Sequence, residues 1–128
     1  MFDLENIVNS VSDSEIEVLK LLWQDSPMTA QDIILELEGH QSTVKTLINR
    51  LLKKGAISYQ EQDRKYWYSP VINKEDFYRL KTGSFLDKYF GGEVVPLISF
   101  FSKQNKLDEK DLAELKQIIK KLEAESGN

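Results

Sequence analysis

The chain has no cysteine and only one histidine among its 128 residues. Without cysteine there is no disulfide, no thiolate metal site and no cysteine nucleophile. No apolar run approaches the roughly 20 residues that span a bilayer. The opening MFDLENIVNS lacks the basic start and apolar core of a secretory signal. We therefore expect a cytoplasmic protein without a metal site or membrane span, whose fold depends on packing alone.

The residues that enzymes use are scarce as well. The single histidine, His40, lies in a predicted loop, and the sequence contains no glycine-rich phosphate-binding loop. No pair of acids occurs in an evident pocket setting. We therefore expect that the protein is not an enzyme and uses no cofactor.

Charge is unevenly distributed along the chain, although the formal net charge is only -4. Residues 1–40 hold nine acids and one base, residues 41–68 hold six bases and two acids, and residues 69–128 hold ten of each sign. Partners respond to the local field more than to the net charge. The middle segment is therefore the candidate for binding an anionic partner.

Two helices are predicted in the acidic first forty residues. Ser12 and Glu15 form a capping-box signature, which predicts a helix from there to about residue 25. Thr29 and Asp32 begin a second, shorter helix, which is predicted to end at Gly39.

The next helix is cationic. Residues 43–57 read TVKTLINRLLKKGAI, with four bases and no acid. We predict that Gln41 or Ser42 caps this helix and that Gly55 ends it. Its apolar residues recur at three-and-four spacing and form one face: Val44, Leu47, Ile48, Leu51 and Leu52. The opposite face is predicted to be exposed to solvent and carries Lys45, Arg50, Lys53 and Lys54.

After the cationic helix the pattern alternates as it does in a β-strand. Ile57 and Tyr59, then Tyr66 and Tyr68, flank a polar tip at residues 60–65, which predicts a β-hairpin. Three short helices followed by a hairpin are the layout of a winged helix-turn-helix domain. The predicted fold is therefore mostly α-helical with a small β-hairpin wing.

The cationic helix and the hairpin tip together predict binding to double-stranded DNA. A helix in the major groove presents short polar side chains to base edges and longer cations to guanine or to phosphates. The candidate DNA-binding residues are Ser42, Thr43, Lys45, Thr46, Arg50, Arg64 and Lys65. An alternative is a winged-helix module that binds an acidic protein without specific DNA recognition. For Lys53 and Lys54, simple solvation of a helix face is equally compatible with the pattern. A membrane-surface helix ranks last, because the apolar face is needed for the core.

The C-terminal part, residues 73–128, is predicted to be a small helical domain that follows a DNA-binding domain at residues 1–72. One helix begins at Asn73 and is interrupted by Gly83, and a last helix begins at Asp108. The domain has too few residues for a core of its own, which favours a homodimer. The alternative for each residue is packing within one chain. The candidate interface residues are Phe85, Tyr89, Phe90, Leu97, Ile98, Phe100, Phe101, Leu112, Leu115, Ile118, Ile119 and Leu122.

These motifs resemble those of the bacterial penicillinase repressors and methicillin-resistance regulators, the BlaI and MecI type. The resemblance rests on VSDSEIEVLKLLW (residues 11–23), TVKTLINRLLKKGAI, KYWYSPVI (residues 65–72) and SFLDKYFGG (residues 84–92). It implies a dimeric, sequence-specific transcriptional repressor that binds a palindromic operator. It also implies that the candidate residues of the cationic helix read bases and that Arg64 and Lys65 belong to the wing.

The resemblance has further implications for regulation. Members that respond to β-lactams are cleaved by a regulatory protease at an asparagine–phenylalanine bond, to which Ser99–Phe100 corresponds here. Copper-responsive relatives carry a cysteine-rich tail, and this chain has no thiol. The family's usual tryptophan-serine-proline-lysine entry to the cationic helix is replaced by GHQS, residues 39–42, which removes one lysine that reaches phosphate.

Overall fold

The computed structural model describes residues 3–126 and contains seven helices and one hairpin in that range. In chain order these are α1 (Leu4–Ser10), α2 (Asp13–Gln24), α3 (Ala30–Leu37), α4 (Gln41–Lys54), β1 (Ile57–Gln62), β2 (Lys65–Pro70), α5 (Lys74–Phe90), α6 (Val94–Lys103) and α7 (Glu109–Ser126). The order is the predicted one, with α1 and α6 added. No helix within residues 3–126 is long and apolar enough to cross a membrane.

The predicted helix starts are confirmed by local hydrogen bonds. At α2 the Ser12 amide donates to Glu15 Oε1 at 2.9 Å and the Glu15 amide donates to Ser12 Oγ at 3.2 Å. At α3 the Thr29 and Asp32 side chains accept from each other's amides, both at 3.2 Å. Two further starts use the same spacing, Asn73 with Asp76 at α5 and Asp108 with Asp111 at α7. The starts of these four helices are therefore encoded by residues within one turn.

The start of α4, the cationic helix, differs from the prediction. His40 has extended backbone angles and is the N-cap residue, so Gln41 and Ser42 already lie inside the helix and neither caps it. The helix ends where predicted, at Gly55, which adopts a left-handed φ of 78°. The N-cap is the last non-helical residue before a helix. The helix therefore begins earlier than predicted, because the sequence pattern placed the cap at Gln41 or Ser42.

The end of α3 also differs from the prediction. Glu38, not Gly39, adopts the left-handed conformation past the helix, with φ 52° and ψ 32°. This conformation is unfavourable for a residue with a Cβ atom. In addition, an acidic side chain at the C-terminal end of a helix opposes the helix dipole.

Glu38→Gly is therefore expected to stabilise the protein by about 1 kcal/mol, because glycine adopts the left-handed conformation without steric cost. Urea unfolding followed by circular dichroism measures this change. The matched control is Glu36→Gly inside the last turn of α3, which should destabilise the protein. Equal effects of the two changes would contradict the role of the left-handed backbone.

The wing is a tight two-stranded antiparallel hairpin. Gln62 pairs with Lys65 and Ile57 pairs with Pro70, so only Asp63 and Arg64 form the turn. Their φ angles are 54° and 63°, as a two-residue type I′ turn requires. The predicted polar tip at residues 60–65 was therefore too long, and both strands extend to the turn.

A third backbone segment pairs with the wing. Met28, in the connection between α2 and α3, exchanges two backbone hydrogen bonds with Tyr68 of β2, at 3.0 and 2.8 Å. Tyr68 is buried, and Tyr59 packs against both Tyr68 and Tyr66 on the same face of the hairpin. The wing is thereby joined to the helical part of its domain.

The core of the winged part lies among α1 to α5 and the wing. The side of α4 that was predicted to be apolar is inside it, with Val44, Leu47, Ile48 and Leu51 buried. Trp23 of α2 donates its indole N–H to the Ile72 carbonyl at 2.9 Å and packs on Phe77 with ring centroids 5.3 Å apart. The buried stripe therefore determines which side of α4 faces the core and which side faces solvent.

The contacts divide the chain into two compact units, and the division falls between Ser84 and Phe85, inside α5. The predicted domain boundary between residues 72 and 73 stays a prediction. The predicted interruption at Gly83 was wrong, because α5 is continuous through this position. The helix ends at Gly91 and Gly92, whose φ angles are 58° and 79°.

The second unit, from Phe85 onward, has no buried residue between residues 85 and 126. The first unit, in contrast, contains every buried hydrophobic side chain of the described chain. In the second unit the rings of Phe85 and Tyr89 pack 5.2 Å apart, and those of Phe90 and Phe100 pack 6.2 Å apart. These rings remain partly or largely exposed in a single copy.

Candidate DNA-binding surface

The exposed face of α4 carries the predicted base-reading residues. Because the apolar stripe of α4 faces the core, the positions between its members face solvent. All five predicted residues on this helix are exposed: Ser42, Thr43, Lys45, Thr46 and Arg50. Ser42, Thr43, Lys45 and Thr46 lie in the first two turns and Arg50 lies farther along, an arrangement that suits a helix that enters the major groove.

The N-terminus of α4 is suited to an anion. The His40 side chain makes no capping hydrogen bond, and the first turn contains no acid. The first intrahelical bond runs from the Val44 amide to the His40 carbonyl at 3.0 Å, so the preceding amides have no partner within the helix. Amides at a helix N-terminus attract negative charge. A DNA phosphate is an anion that this end of the helix can accept.

Thr46 has a more restricted role than its sequence position indicated. Its hydroxyl donates to the Ser42 carbonyl, four residues earlier, at 2.9 Å. The hydroxyl proton is therefore engaged within the helix. Its methyl group and one oxygen lone pair are not used by this hydrogen bond, and a methyl group is chemically suited to contact the methyl of thymine.

A groove of about 310 Å³ lies between α4, the start of α3 and the wing. It brings Lys45 of α4 and Lys65 of β2 to one site, although these residues are twenty positions apart in sequence. The groove is lined by Thr29, Ala30, Gln31, Ile34, Gln41, Lys45, Lys65, Tyr66 and Tyr68. The predicted helix and wing residues therefore meet through these two lysines, while Arg50 and Arg64 lie outside the groove lining.

Three polar residues of this groove were missed in the sequence, namely Gln31, Gln41 and Tyr66. Gln31 occupies the first turn of α3, and Gln41 was interpreted only as a cap. Tyr66 shares a strand face with Tyr68, because side chains alternate along β2. The alternation of the wing was therefore the available signal for Tyr66, and no local signal indicated the two glutamines.

The wing residues Arg64 and Lys65 are both exposed. Arg64 is the second residue of the turn, and Lys65 begins β2. Tyr59 and Tyr66 support this end of the hairpin, with ring centroids 4.6 Å apart. Aromatic cross-strand pairs stiffen a hairpin, so the two cations project from a defined support.

Lys54, the last cation of α4, departs from the predicted solvent-exposed face. Its Nζ donates to Glu15 Oε1 and to the Ser10 carbonyl, both at 2.5 Å. Burial raises the pKa of Glu15, but hydrogen bonds from Lys54 and the Ser12 amide and the charge of Lys54 outweigh it, so the pKa lies below its ordinary value. Lys53, the preceding cation, is exposed as predicted.

The predicted interface residues all lie in the second unit. Phe90, Leu97, Ile98 and Leu115 are half-buried within one copy, and the remaining predicted residues are exposed. On α7 the exposed fractions of Ile118, Ile119 and Leu122 are 54%, 52% and 57%. The predicted cleavage position, Ser99 and Phe100, lies inside α6 with both residues exposed.

Comparison with known proteins gives consistent matches to one family. A family model described as penicillinase repressor matches residues 11–121. A penicillinase repressor of Bacillus licheniformis is 30% identical over 116 residues, which cover 88% of this chain and 91% of that protein. A penicillinase repressor of Staphylococcus aureus is 33% identical over 114 residues, which cover 85% of this chain and 90% of that protein.

The fold is also shared with a more distant solved structure. The multiple antibiotic-resistance repressor from Listeria monocytogenes 4b F2365 matches with a TM-score of 0.55 over 98% of this chain and 81% of that chain, at 14% identity. This likeness concerns the fold alone. The predicted fold class, a mostly helical winged helix-turn-helix with additional C-terminal helices, is confirmed.

Proposed function

The chain belongs to the penicillinase repressor family of DNA-binding transcriptional repressors, and we propose that two copies of it bind one operator with two-fold symmetry. The predicted function, a DNA-binding repressor rather than an enzyme, is confirmed by this membership. We further propose which residues contact DNA, that the protein is a dimer, and which residues form the dimer interface.

The observation that carries the proposal is the exposed face of α4. It presents Thr43, Lys45 and Thr46 near an uncapped N-terminus and Arg50 about one turn farther along the helix. We propose that these residues and Ser42 contact base edges and the flanking phosphates in the major groove. The groove between α4 and the wing would then lie along the DNA backbone, since cations line it on both sides.

We assign the wing a backbone role. Arg64 and Lys65 are exposed at the turn of a hairpin that is too short to present many side chains to bases. Cations at such a site neutralise phosphates and add affinity without reading sequence. Base reading would therefore be concentrated in α4.

The exposure of apolar side chains in the second unit supports the proposed dimer. Among residues 85–126, no side chain is buried in one copy, and α7 exposes an apolar stripe along its length. A small group of helices with so little buried surface is marginal in water. A second copy of the same unit would cover the stripe, and two-fold symmetry would place one α4 at each half of the operator.

A regulatory protease that acts at Ser99–Phe100 also remains part of the proposal. Both residues are exposed, but the peptide bond between them lies inside α6. Proteases preferentially cleave exposed flexible segments. We therefore propose that cleavage follows local unwinding of α6.

The proposal is tested with the purified full-length chain and a duplex that the protein itself selects from a random pool. Titration of this duplex and of a scrambled duplex of equal composition, over a series of salt concentrations, gives the affinity ratio and the salt slope. We expect preferential binding of the selected duplex and a slope that corresponds to several phosphates. Equal affinity for both duplexes would favour a module that binds acidic partners through charge alone.

Arg64→Gln is expected to reduce the salt slope by about one and to weaken binding to both duplexes to a similar degree, because it removes one phosphate contact. The control is Lys20→Gln on α2, a cation outside the proposed surface that pairs with Glu17 at 3.4 Å. A selective loss of binding to the selected duplex would show instead that Arg64 reads bases.

A further inference from the structure

The end of α4 is tied to the start of α2 by a buried ion pair. Glu15 is only 1% exposed and the Lys54 side chain 28% exposed. The two residues are 39 positions apart, and Lys54 also binds the Ser10 carbonyl, just before α2. Of the four cations of α4, Lys54 is therefore the one that forms an ion pair within residues 3–126.

Overall stability is a weak explanation for such a pair. The cost of removing two charges from water offsets much of their attraction, and well-packed apolar residues often serve as well. An apolar contact stabilises packing in proportion to the buried area, so it does not specify one orientation of the two surfaces. The ion pair, in contrast, is held by three hydrogen bonds: Lys54 to Glu15, Lys54 to the Ser10 carbonyl, and the Ser12 amide to Glu15. Together they define the position of the Lys54 side chain.

The position matters because α4 is a rigid rod. Its 14 residues extend about 20 Å, and the stripe of Val44, Leu47, Ile48 and Leu51 holds it through apolar contacts alone. Such a stripe resists separation from the core more than it resists small sliding or rolling. Lys54 is the last residue of α4. Because the helix is rigid, a displacement of this end also displaces the residues that are proposed to face DNA.

We propose that the Glu15–Lys54 pair is a positioning element that fixes α4 along and about its axis and so sets the register of the base-reading residues on DNA. This inference rests on the proposed function. Neither residue touches DNA in this view. Glu15 acts through Lys54, and Lys54 acts through the helix that it ends.

Glu15→Gln gives the decisive test, because two explanations predict opposite results. The change removes one negative charge, so simple electrostatics predicts tighter binding to every duplex. Glutamine also retains the capping box of α2. If the pair positions α4, affinity for the selected duplex should fall about tenfold relative to the scrambled duplex, which is the size of one lost base contact.

Three variants serve as controls. Glu17→Gln makes the same charge change on the exposed side of α2, where the side chain is 56% exposed, and should leave the affinity ratio unchanged. Lys54→Arg keeps a cation that can reach Glu15 and should preserve most of the discrimination. Lys54→Met breaks the pair and keeps the aliphatic stem. It should lower the affinity ratio as Glu15→Gln does, while leaving the salt slope at the wild-type value.

Folding is monitored by amide hydrogen exchange on the same samples. We expect faster exchange in the last turn of α4 in Glu15→Gln, with α7 unchanged, and this readout does not involve DNA. If Glu15→Gln fails to fold, the same measurements on Lys54→Met decide. A wild-type affinity ratio in the folded variant, or a salt slope lowered by about one in Lys54→Met, would overturn the inference. Loss of discrimination in the wild type would instead overturn the proposed function, a distinguishable result.

Discussion

Ile119→Asp is expected to convert the protein from a dimer to a monomer and to weaken binding to the selected duplex by about a hundredfold or more. Two linked copies make the second half-site contact intramolecular, and this advantage is lost when the copies separate. Ile119 is 52% exposed in one copy, so the change should leave the structure within that copy largely intact. Sedimentation equilibrium gives the mass, and a titration of the selected duplex gives the affinity.

The matched control is Gln117→Asp, which adds the same charge at an exposed polar position of α7. It should retain the mass of a dimer and the affinity of the wild type. A dimeric mass for Ile119→Asp at low micromolar concentration would show that the α7 stripe does not form the interface. Binding by a monomeric Ile119→Asp with wild-type affinity would show that pairing of copies contributes nothing to operator binding.

Arg50→Ala is expected to weaken binding to the selected duplex by about tenfold to a hundredfold, with a smaller effect on the scrambled duplex. Arg50 is exposed on the face of α4 that carries Thr43 and Thr46, and arginine contacts guanine through two parallel hydrogen bonds. Loss of such a contact should reduce discrimination at one base-pair position. Titration against duplexes substituted singly at each position locates it.

Lys53→Ala is the appropriate comparison, because Lys53 is an exposed cation three residues later, in the last turn of α4. It should alter binding to both duplexes equally or not at all. Equal losses for both duplexes in Arg50→Ala would assign Arg50 to the backbone. A larger selective loss in Lys53→Ala would place base reading at the opposite end of the helix.

Much of the helical layout was predictable because its signals are local. The pair Ser12 and Glu15 and the pair Thr29 and Asp32 mark helix starts within one turn, and the structure contains both capping boxes. The apolar stripe of α4 was equally clear, since its spacing reports which face is buried. For the same reason the exposure of Lys45 and Arg50 could be predicted from the sequence.

Other features depend on contacts that no local pattern contains. Helix α1 has only seven residues and was not predicted, because burial of Ile7 and Val8 in the core stabilises it more than its own sequence does. The hairpin tip was predicted too long because Asp63 and Arg64 adopt left-handed angles without the glycine that usually marks a two-residue turn. The burial of Lys54 follows from a partner 39 positions away.

The candidate DNA-binding surface shows the same division. Helical spacing indicated which residues of α4 face outward, but not that Lys45 and Lys65 line one groove with Gln31 and Gln41. That arrangement results from the packing of α3, α4 and the wing. The sequence therefore predicted the chemistry of the surface better than its shape.

The absence of a buried core in residues 85–126 of one copy has a consequence for the cell. If copies pair as proposed, folding of this unit and association are one equilibrium that depends on concentration. When most chains are single, the amount of paired protein varies with the square of the total, so halving the supply would lower the concentration of the dimer about fourfold. Transcription would then resume abruptly as the protein is diluted by growth or removed by degradation.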